Sequence, residues 1–395
     1  MYGYNKVCII EILFGGHIMG NNGKKQKKKG SRAKNGFKVI FMLVMLVASG
    51  TAGFFVAKAR VTFNQTLNHV ERDYNSKLST VDLSGIKVKS DNDIVNILLI
   101  GNDKRDEKYY TNERGLRDVI MIATMDRKHG MLKLSSIMRD LRVYVPAIDN
   151  YEKINSATNH EGEVKSLYKT LAQNFNIKLD GYVEVDFDAF KEAVDALGGV
   201  EVELTDTEVR YLSITNYIRK KKYRKGLKVG KQILNGEQAL GYCRIRKGKD
   251  MIGEPVVTAS GLIDDYGRTW RQRAVLTAAF EKLKTMPLTK WYGIAEKVMG
   301  YIVTDLDNDQ IFDYMKAVAT MGTTDIYQLR IPHNPYFRES ETGEFGPGND
   351  CLVPTDGMSG EWSIEKNKEV LEQFIFDYNG KGEFEFKEPG QVQEE

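Results

Sequence analysis

The sequence predicts a layered α/β domain carried behind a single N-terminal membrane span, and three observations lead there. Residues 37–57 form an apolar stretch long enough to cross a bilayer, with one charge, Lys38, at its edge. Two apolar runs, 94–100 and 119–123, have the length of buried strands. Further on, a helical pattern, a short strand, a second helical pattern and an alternating strand follow one another over 163–204, which is the order of an α/β layer.

Charge is unevenly spread. The formal net charge is +3, yet the first 36 residues hold eight basic side chains against one acid, Glu11. The remainder is mildly acidic, which excludes a nucleic-acid binder with its basic excess on the folded domain. Lysines 24–34 just before the apolar stretch place the N-terminus in the cytoplasm and the following chain outside. A cleaved secretion signal is the competing reading, but the stretch exceeds a signal core and no A-x-A site follows it. The expected organisation is therefore a basic cytoplasmic head (1–36), a transmembrane helix (37–57), a polar stalk (58–92), an extracellular catalytic domain (93–379) and a disordered acidic tail (380–395). Cys8, Cys243 and Cys351 show no paired spacing, which argues against a zinc site or a disulfide scaffold.

Within the domain, Gly101, Asp103 and Arg105 follow the first apolar run, and Arg117 and Asp118 precede the second. Neighbouring strands bring these acids and arginines to one sheet edge, where they suit a divalent cation and a phosphate. The runs 119–125 and 131–137, joined by Asp126 to Gly130, read as a hairpin ending near Arg139. Val164, Leu167, Tyr168, Leu171 and Phe175 share a helical face. Residues 182–185 read as a strand, Phe187 to Leu197 as a helix stopped by Gly198-Gly199, and 200–204 as a half-exposed strand. The basic stretch 205–231 reads as an irregular loop, a solvated surface or a rim for a polyanionic polymer. Asn235 and Gln238 have capping-box spacing for a short helix. Cys243 to Arg246 then read as a strand with Arg244 and Arg246 on one face. Two guanidiniums side by side call for an anion. Arg268, Arg271 and Gln272, three and four apart, share a helical face next to the predicted helix 274–283.

Together these residues resemble the LytR-CpsA-Psr family of cell-wall glycopolymer ligases. The resemblance is carried by Gly-Asn-Asp-Lys-Arg, Ser-Ile-Met-Arg-Asp, Lys-Ile-Asn-Ser-Ala, Val-Glu-Val-Asp-Phe, Leu-Asn-Gly-Glu-Gln-Ala-Leu, Arg-Ile-Arg and Asp-Tyr-Gly-Arg-Thr-Trp-Arg-Gln, in that order. It implies a mixed central β-sheet with helices on both faces and an apolar pocket between them for a lipid tail. It implies a Mg2+-dependent phosphotransferase moving a polyprenyl-pyrophosphate-linked glycan, of teichoic-acid or capsule type, onto peptidoglycan at the cell membrane. By the resemblance, Asp103 and Asp118 would hold Mg2+. Arg105, Arg139, Arg244, Arg246, Arg268, Arg271 and Gln272 would contact the pyrophosphate. Asp265 would act with Arg139 and Arg268 in catalysis, either orienting an arginine or assisting proton removal, and Lys153 is a further candidate. The chain departs from the family pattern at Leu116-Arg117-Asp118-Val119 and inserts residues 247–264, which predicts an altered site entrance. The rival readings are a polyprenyl-pyrophosphate phosphatase and a non-catalytic lipid- or polymer-binding regulator of the envelope.

Overall fold

The protein is described from a computed structural model, which covers residues 61, 71–103, 116–246, 248, 249, 253–321 and 326–381. The basic head, the expected membrane span and all but the first residues of the acidic tail lie outside the described residues. Among the described residues no helix is long and apolar enough to cross a membrane.

The chain enters the sheet earlier than its polar composition indicates. Strand β1 (Glu71–Arg72) lies parallel to β10 (Ile302–Thr304), and Leu78 is buried in the main core. Residues 71–92, expected as the end of a stalk, therefore belong to the folded domain. Polar contacts hold them there, which an apolar pattern does not reveal. The Tyr182 hydroxyl donates to Asp73 at 3.2 Å and the Leu78 amide donates to Asp305 at 2.9 Å.

The expected hairpin is present as β3 (Leu116–Asp126) and β4 (Met131–Ile137), with β2 (Ile94–Asp103) antiparallel to β3 on its other side. Strand β7 (Gly181–Asp186) runs parallel to β2, and β11 (Ile326–Ile331) parallel to β4. The seven-stranded sheet has the order β1-β10-β7-β2-β3-β4-β11 and is mixed, as the resemblance implied. There are also three two-stranded antiparallel sheets: β5 (Arg142–Val145) with β6 (Asn150–Lys153), β8 (Val200–Leu204) with β9 (Gly230–Leu234), and β12 (Phe337–Glu339) with β13 (Leu352–Pro354). The helices in chain order are α1 (Val164–Phe175), α2 (Phe187–Ala196), α3 (Asp206–Ile214), α4 (Gly236–Arg244), α5 (Asp264–Thr285), α6 (Leu288–Val298), α7 (Asn308–Thr320) and α8 (Glu365–Glu372).

Period-two alternation gives the sheet two different faces. Leu98, Ile100, Ile120, Ile122 and Tyr182 lie on one, fully buried with α1 and α8. The other face is covered in part by α5. Arg273 and Thr277 of that helix hydrogen-bond the two ends of the Gln328 amide, at 3.1 and 3.0 Å. In the middle of this second face Ile97, Leu99, Val119, Ala123, Val183 and Val185 stay only half-buried. That is unusual for aliphatics at the centre of a sheet and marks an apolar strip with space above it.

Three expectations need correction. Residues 243–246 do not form a strand. The Asn235–Gln238 capping box has both of its hydrogen bonds, at 3.0 and 3.1 Å. The helix it starts runs on through Arg244, until Ile245 turns extended. The stretch 205–231 is not one irregular loop, because Thr205 and Glu208 form a second capping box that starts α3. The helix expected from 274 begins ten residues earlier, at Asp264.

Close approach fixes where α4 begins. A Cβ on Gly236 would fall 2.3 Å from the carbonyl oxygen of Lys191 in α2, and the Gly236 amide donates to Asp195 at 2.7 Å. Gly236→Ala is expected to push α4 off α2 and cost about 1–3 kcal/mol. Chemical denaturation would show it as a lower midpoint.

Candidate functional site

A break in the sheet register creates one wall of the site. Gly101 pairs with Val119 and Asn102 with Arg117, so Asp118 is the extra residue of a β-bulge between β2 and β3. A bulge re-aims a side chain out of the alternation, and here it turns Asp118 into a cavity of about 510 Å3. Gly101 lines the same cavity, and a Cβ there would meet that of Val119 at 2.7 Å. The chain leaving β4 brings Arg139, the C-terminus of α4 brings Arg244 and Arg246, and the early turns of α5 bring Arg268 and Gln272.

Charges of both signs alternate around this cavity. Asp118 Oδ2 lies 2.5 Å from Arg139 Nη1 and 3.7 Å from Arg268 Nη1. Asp140 Oδ2 lies 3.5 Å from Arg139 Nε and 3.5 Å from Arg246 Nη2. Asp265 closes the circuit, 3.0 Å from Arg246 Nε and 2.9 Å from Arg268 Nη2. Three carboxylates and three guanidiniums thus form a ring, and Lys153 joins it through Asp140 at 3.5 Å. Arg244 stands on the cavity wall with its guanidinium 4.9 Å from the Phe187 ring and 5.7 Å from the Tyr217 ring.

Counting Arg244 and Lys153, these groups leave an excess of two positive charges, the charge of a pyrophosphate diester with opposite sign. Burial works against the charge of Arg139, but Asp118, Asp140 and Asp265 outweigh it and bind its proton more tightly than usual. Burial lowers the proton affinity of Arg268; Asp265 opposes this and Arg139 adds to it. A guanidinium stays charged through such shifts, so both present fixed positive charge. Five buried atoms of the ring have no hydrogen-bond partner: Asp118 Oδ1, Asp265 Oδ1 and the Nε of Arg139, Arg246 and Arg268. Acceptors and donors left open in a charged cavity are unsatisfied groups that a ligand would complete.

Of the residues singled out in the sequence, Asp118, Arg139, Arg244, Arg246, Arg268 and Gln272 line the cavity, and Asp265 buttresses it. Arg271 does not belong. Its side chain is fully buried and its Nε donates to Glu208 of α3 at 2.6 Å. Position i+3 on α5 falls on the side that faces α3, whereas i+4, Gln272, faces the cavity. Arg117 also points elsewhere, to Glu184 at 3.1 Å and Glu163 at 2.9 Å. Asp103 ends β2 opposite Leu116, its side chain lies outside the described set, and Arg105 lies outside the described residues. The insertion 247–264 does not line the cavity with any described residue. It folds back on α3, where the Thr205 hydroxyl donates to the Val257 carbonyl at 2.7 Å.

Sequence reasoning missed Asp140, Phe187, Asn216 and Tyr217. Asp140 was in view beside Arg139 in its motif. Asn216 and Tyr217 carry no signal of their own, since they follow a helix that was read as loop.

Among the described residues no group of three or more His, Cys, Asp or Glu side chains could enclose a metal ion. The open Asp118 Oδ1 does fit a hard cation held by one or two carboxylates, with phosphate and water supplying the rest.

The model of the LytR_cpsA_psr family matches residues 54–350. The chain is 27% identical over 274 residues to the polyisoprenyl-teichoic acid–peptidoglycan teichoic acid transferase TagU of Bacillus mycoides, covering 69% of this chain and 79% of that protein. It is 28% identical over 315 residues to the transferase TagV of Bacillus subtilis, covering 77% and 74%. Its fold is similar to the crystal structure of B. subtilis TagT, with TM-score 0.53 and 22% identity over 78% of this chain and 99% of that one. It is equally similar to TagT bound to LIIa-WTA, with TM-score 0.53 and 22% identity over 74% and 98%.

Proposed function

The chain belongs to the LytR_cpsA_psr family, and from that premise we propose that it is a transferase that moves a polyprenyl-pyrophosphate-linked glycopolymer onto a peptidoglycan hydroxyl. The observation that carries this reading is the ring of Asp118, Arg139, Asp140, Arg246, Asp265 and Arg268, to which Arg244 and Lys153 add two positive charges in excess. The relatives TagU and TagV, named as teichoic acid transferases, support a polymer of teichoic-acid type.

Phosphoryl transfer depends mainly on positioning and on stabilising charge. Arg139, Arg246 and Arg268 clamp the phosphate oxygens, and the aspartates between them hold the guanidiniums in place before the substrate arrives. Both Asp265 oxygens lie beside arginines, so its part is to orient Arg246 and Arg268. Arg244 is fixed by the Phe187 and Tyr217 rings and meets the outer phosphate. The acceptor hydroxyl attacks the phosphorus next to the sugar, the P–O bond to the second phosphate breaks, and polyprenyl phosphate leaves with the hydroxyl proton on its freed oxygen. The lipid tail of the donor follows the half-buried strip from Val119 toward Ile97. Residues 37–57 anchor the enzyme, with the catalytic domain on the outer side of the membrane.

Asp118, with Asp103 as its partner, would hold Mg2+. When bound, the ion would supply positive charge against the pyrophosphate oxygens. Asp118→Asn is expected to weaken Mg2+ binding by about 10–100-fold, read by titration calorimetry in the presence of a non-hydrolysable pyrophosphate. Unaltered Mg2+ affinity would remove Asp118 from this role.

The whole reading is tested by supplying the full chain with lipid-linked glycan, with and without peptidoglycan. Polymer joined to peptidoglycan is the expected product. Phosphate released at the same rate without acceptor would make the protein a phosphatase.

A further inference from the structure

A second cavity, of about 180 Å3, is lined by α2, the start of α4, Lys220, Tyr223 and Tyr301. The two cavities take lining residues from neighbouring positions of the chain. Phe187 lines the first and its neighbour Asp188 the second; Tyr217 lines the first and Lys220, three residues on, the second. Three residues of chain span at most about 11 Å, so these pairs of lining residues lie within about two sugar rings of each other.

We propose that this second cavity binds an uncharged pyranose of the glycan strand that receives the polymer. The inference rests on the transferase reading above and says where the acceptor sits. Its lining is built from hydrogen-bonding groups and includes Tyr223 and Tyr301. Lys222 lies 4.6 Å over the Tyr223 ring, whereas Tyr301 is 46% exposed. A ring with one apolar face and polar edges is recognised by this combination of aromatic platform and convergent polar groups.

Charge decides between donor and acceptor. Asp188, Glu192, Asp195 and Glu237 outnumber Lys191 and Lys220 in the lining. Three of the acids are engaged locally: Asp188 with Lys191 at 2.6 Å, Asp195 as acceptor of the Gly236 amide at 2.7 Å, and Glu237 as acceptor of the Arg219 and Lys220 amides at 2.8 and 3.2 Å. A net acidic cavity repels a phosphate-rich donor and tolerates a neutral sugar.

The test uses the full-length protein, soluble peptidoglycan glycan strands without stem peptides, and lipid-linked donor. Tyr301→Ala and Glu192→Gln both alter exposed side chains. In each, the strand dissociation constant and the acceptor KM are expected to rise, about tenfold for Tyr301→Ala. Wild-type strand affinity in both variants overturns the proposal. So does a rise in donor KM in place of acceptor KM, which would give the cavity to the donor's own sugar. If the protein transfers nothing but strand binding still weakens in the variants, the acceptor cavity stands and only the transferase reading falls.

Discussion

Arg246→Ala is expected to lower kcat for transfer by about 10²–10³-fold while the fold keeps its stability. Removing one fixed donor from a charge-stabilising site typically costs that much. Arg246 suits the test because its side chain is 41% exposed and bridges two acids, Asp140 and Asp265, from the rim of the ring. Truncating it leaves no void in the core, and both carboxylates keep another cationic partner, Arg139 or Lys153 for Asp140 and Arg268 for Asp265. The thermal midpoint should therefore stay within a few degrees of wild type. Arg246→Lys keeps the charge but loses the planar two-pronged geometry, so it should recover only part of the rate. Near-normal transfer by Arg246→Ala would mean that the ring is a structural salt-bridge network and that the phosphates bind elsewhere.

Much of this site was legible in the sequence, and what was not has a physical cause. The strands β2, β3 and β4 are apolar runs bounded by turn residues, so the sheet edge carrying Asp118 and Arg139 could be placed from pattern alone. The bulge that aims Asp118 inward could not, because it depends on a one-residue mismatch between two strands. Arg244 and Arg246 were placed on one face for the wrong reason. They reach the same cavity because a capped helix ends between them, not because a strand alternates. The α5 cluster shows the limit most clearly. Residues three and four apart on a helix both neighbour the first, yet at 100° per residue they diverge from each other. Periodicity offers Arg271 and Gln272 equally to the site as partners of Arg268. A buried glutamate from a distant helix settles the matter, and nothing near Arg271 in sequence announces it.

That buried pair gives the largest expected effect on stability. Glu208 and Arg271 are both fully buried. Glu208 accepts from Arg271 Nε at 2.6 Å on one oxygen and from the Thr205 amide at 2.9 Å on the other, which closes the cap of α3. Burial pushes the Glu208 carboxyl up, and Arg271 pulls it back. Arg271→Met leaves that acid in the core without its cation, a loss of about 3–5 kcal/mol. A domain this size should then melt on the order of 5–10 °C lower. The double variant Glu208→Leu with Arg271→Met removes both charges and should recover most of that loss, since a buried ion pair gains little over well-packed apolar side chains.

Activity should not recover in parallel. Arg271 Nη1 also donates to the Ile245 carbonyl, and Gln272 Nε2 to the Cys243 carbonyl, each at 3.4 Å. These carbonyls sit at the open end of α4, beside Arg244 and Arg246, where a helix has no partners of its own for them. The double variant should therefore fold firmly yet transfer slowly, with its arginine pair less well held. Stability and rate restored together would show that Arg271 serves the core alone.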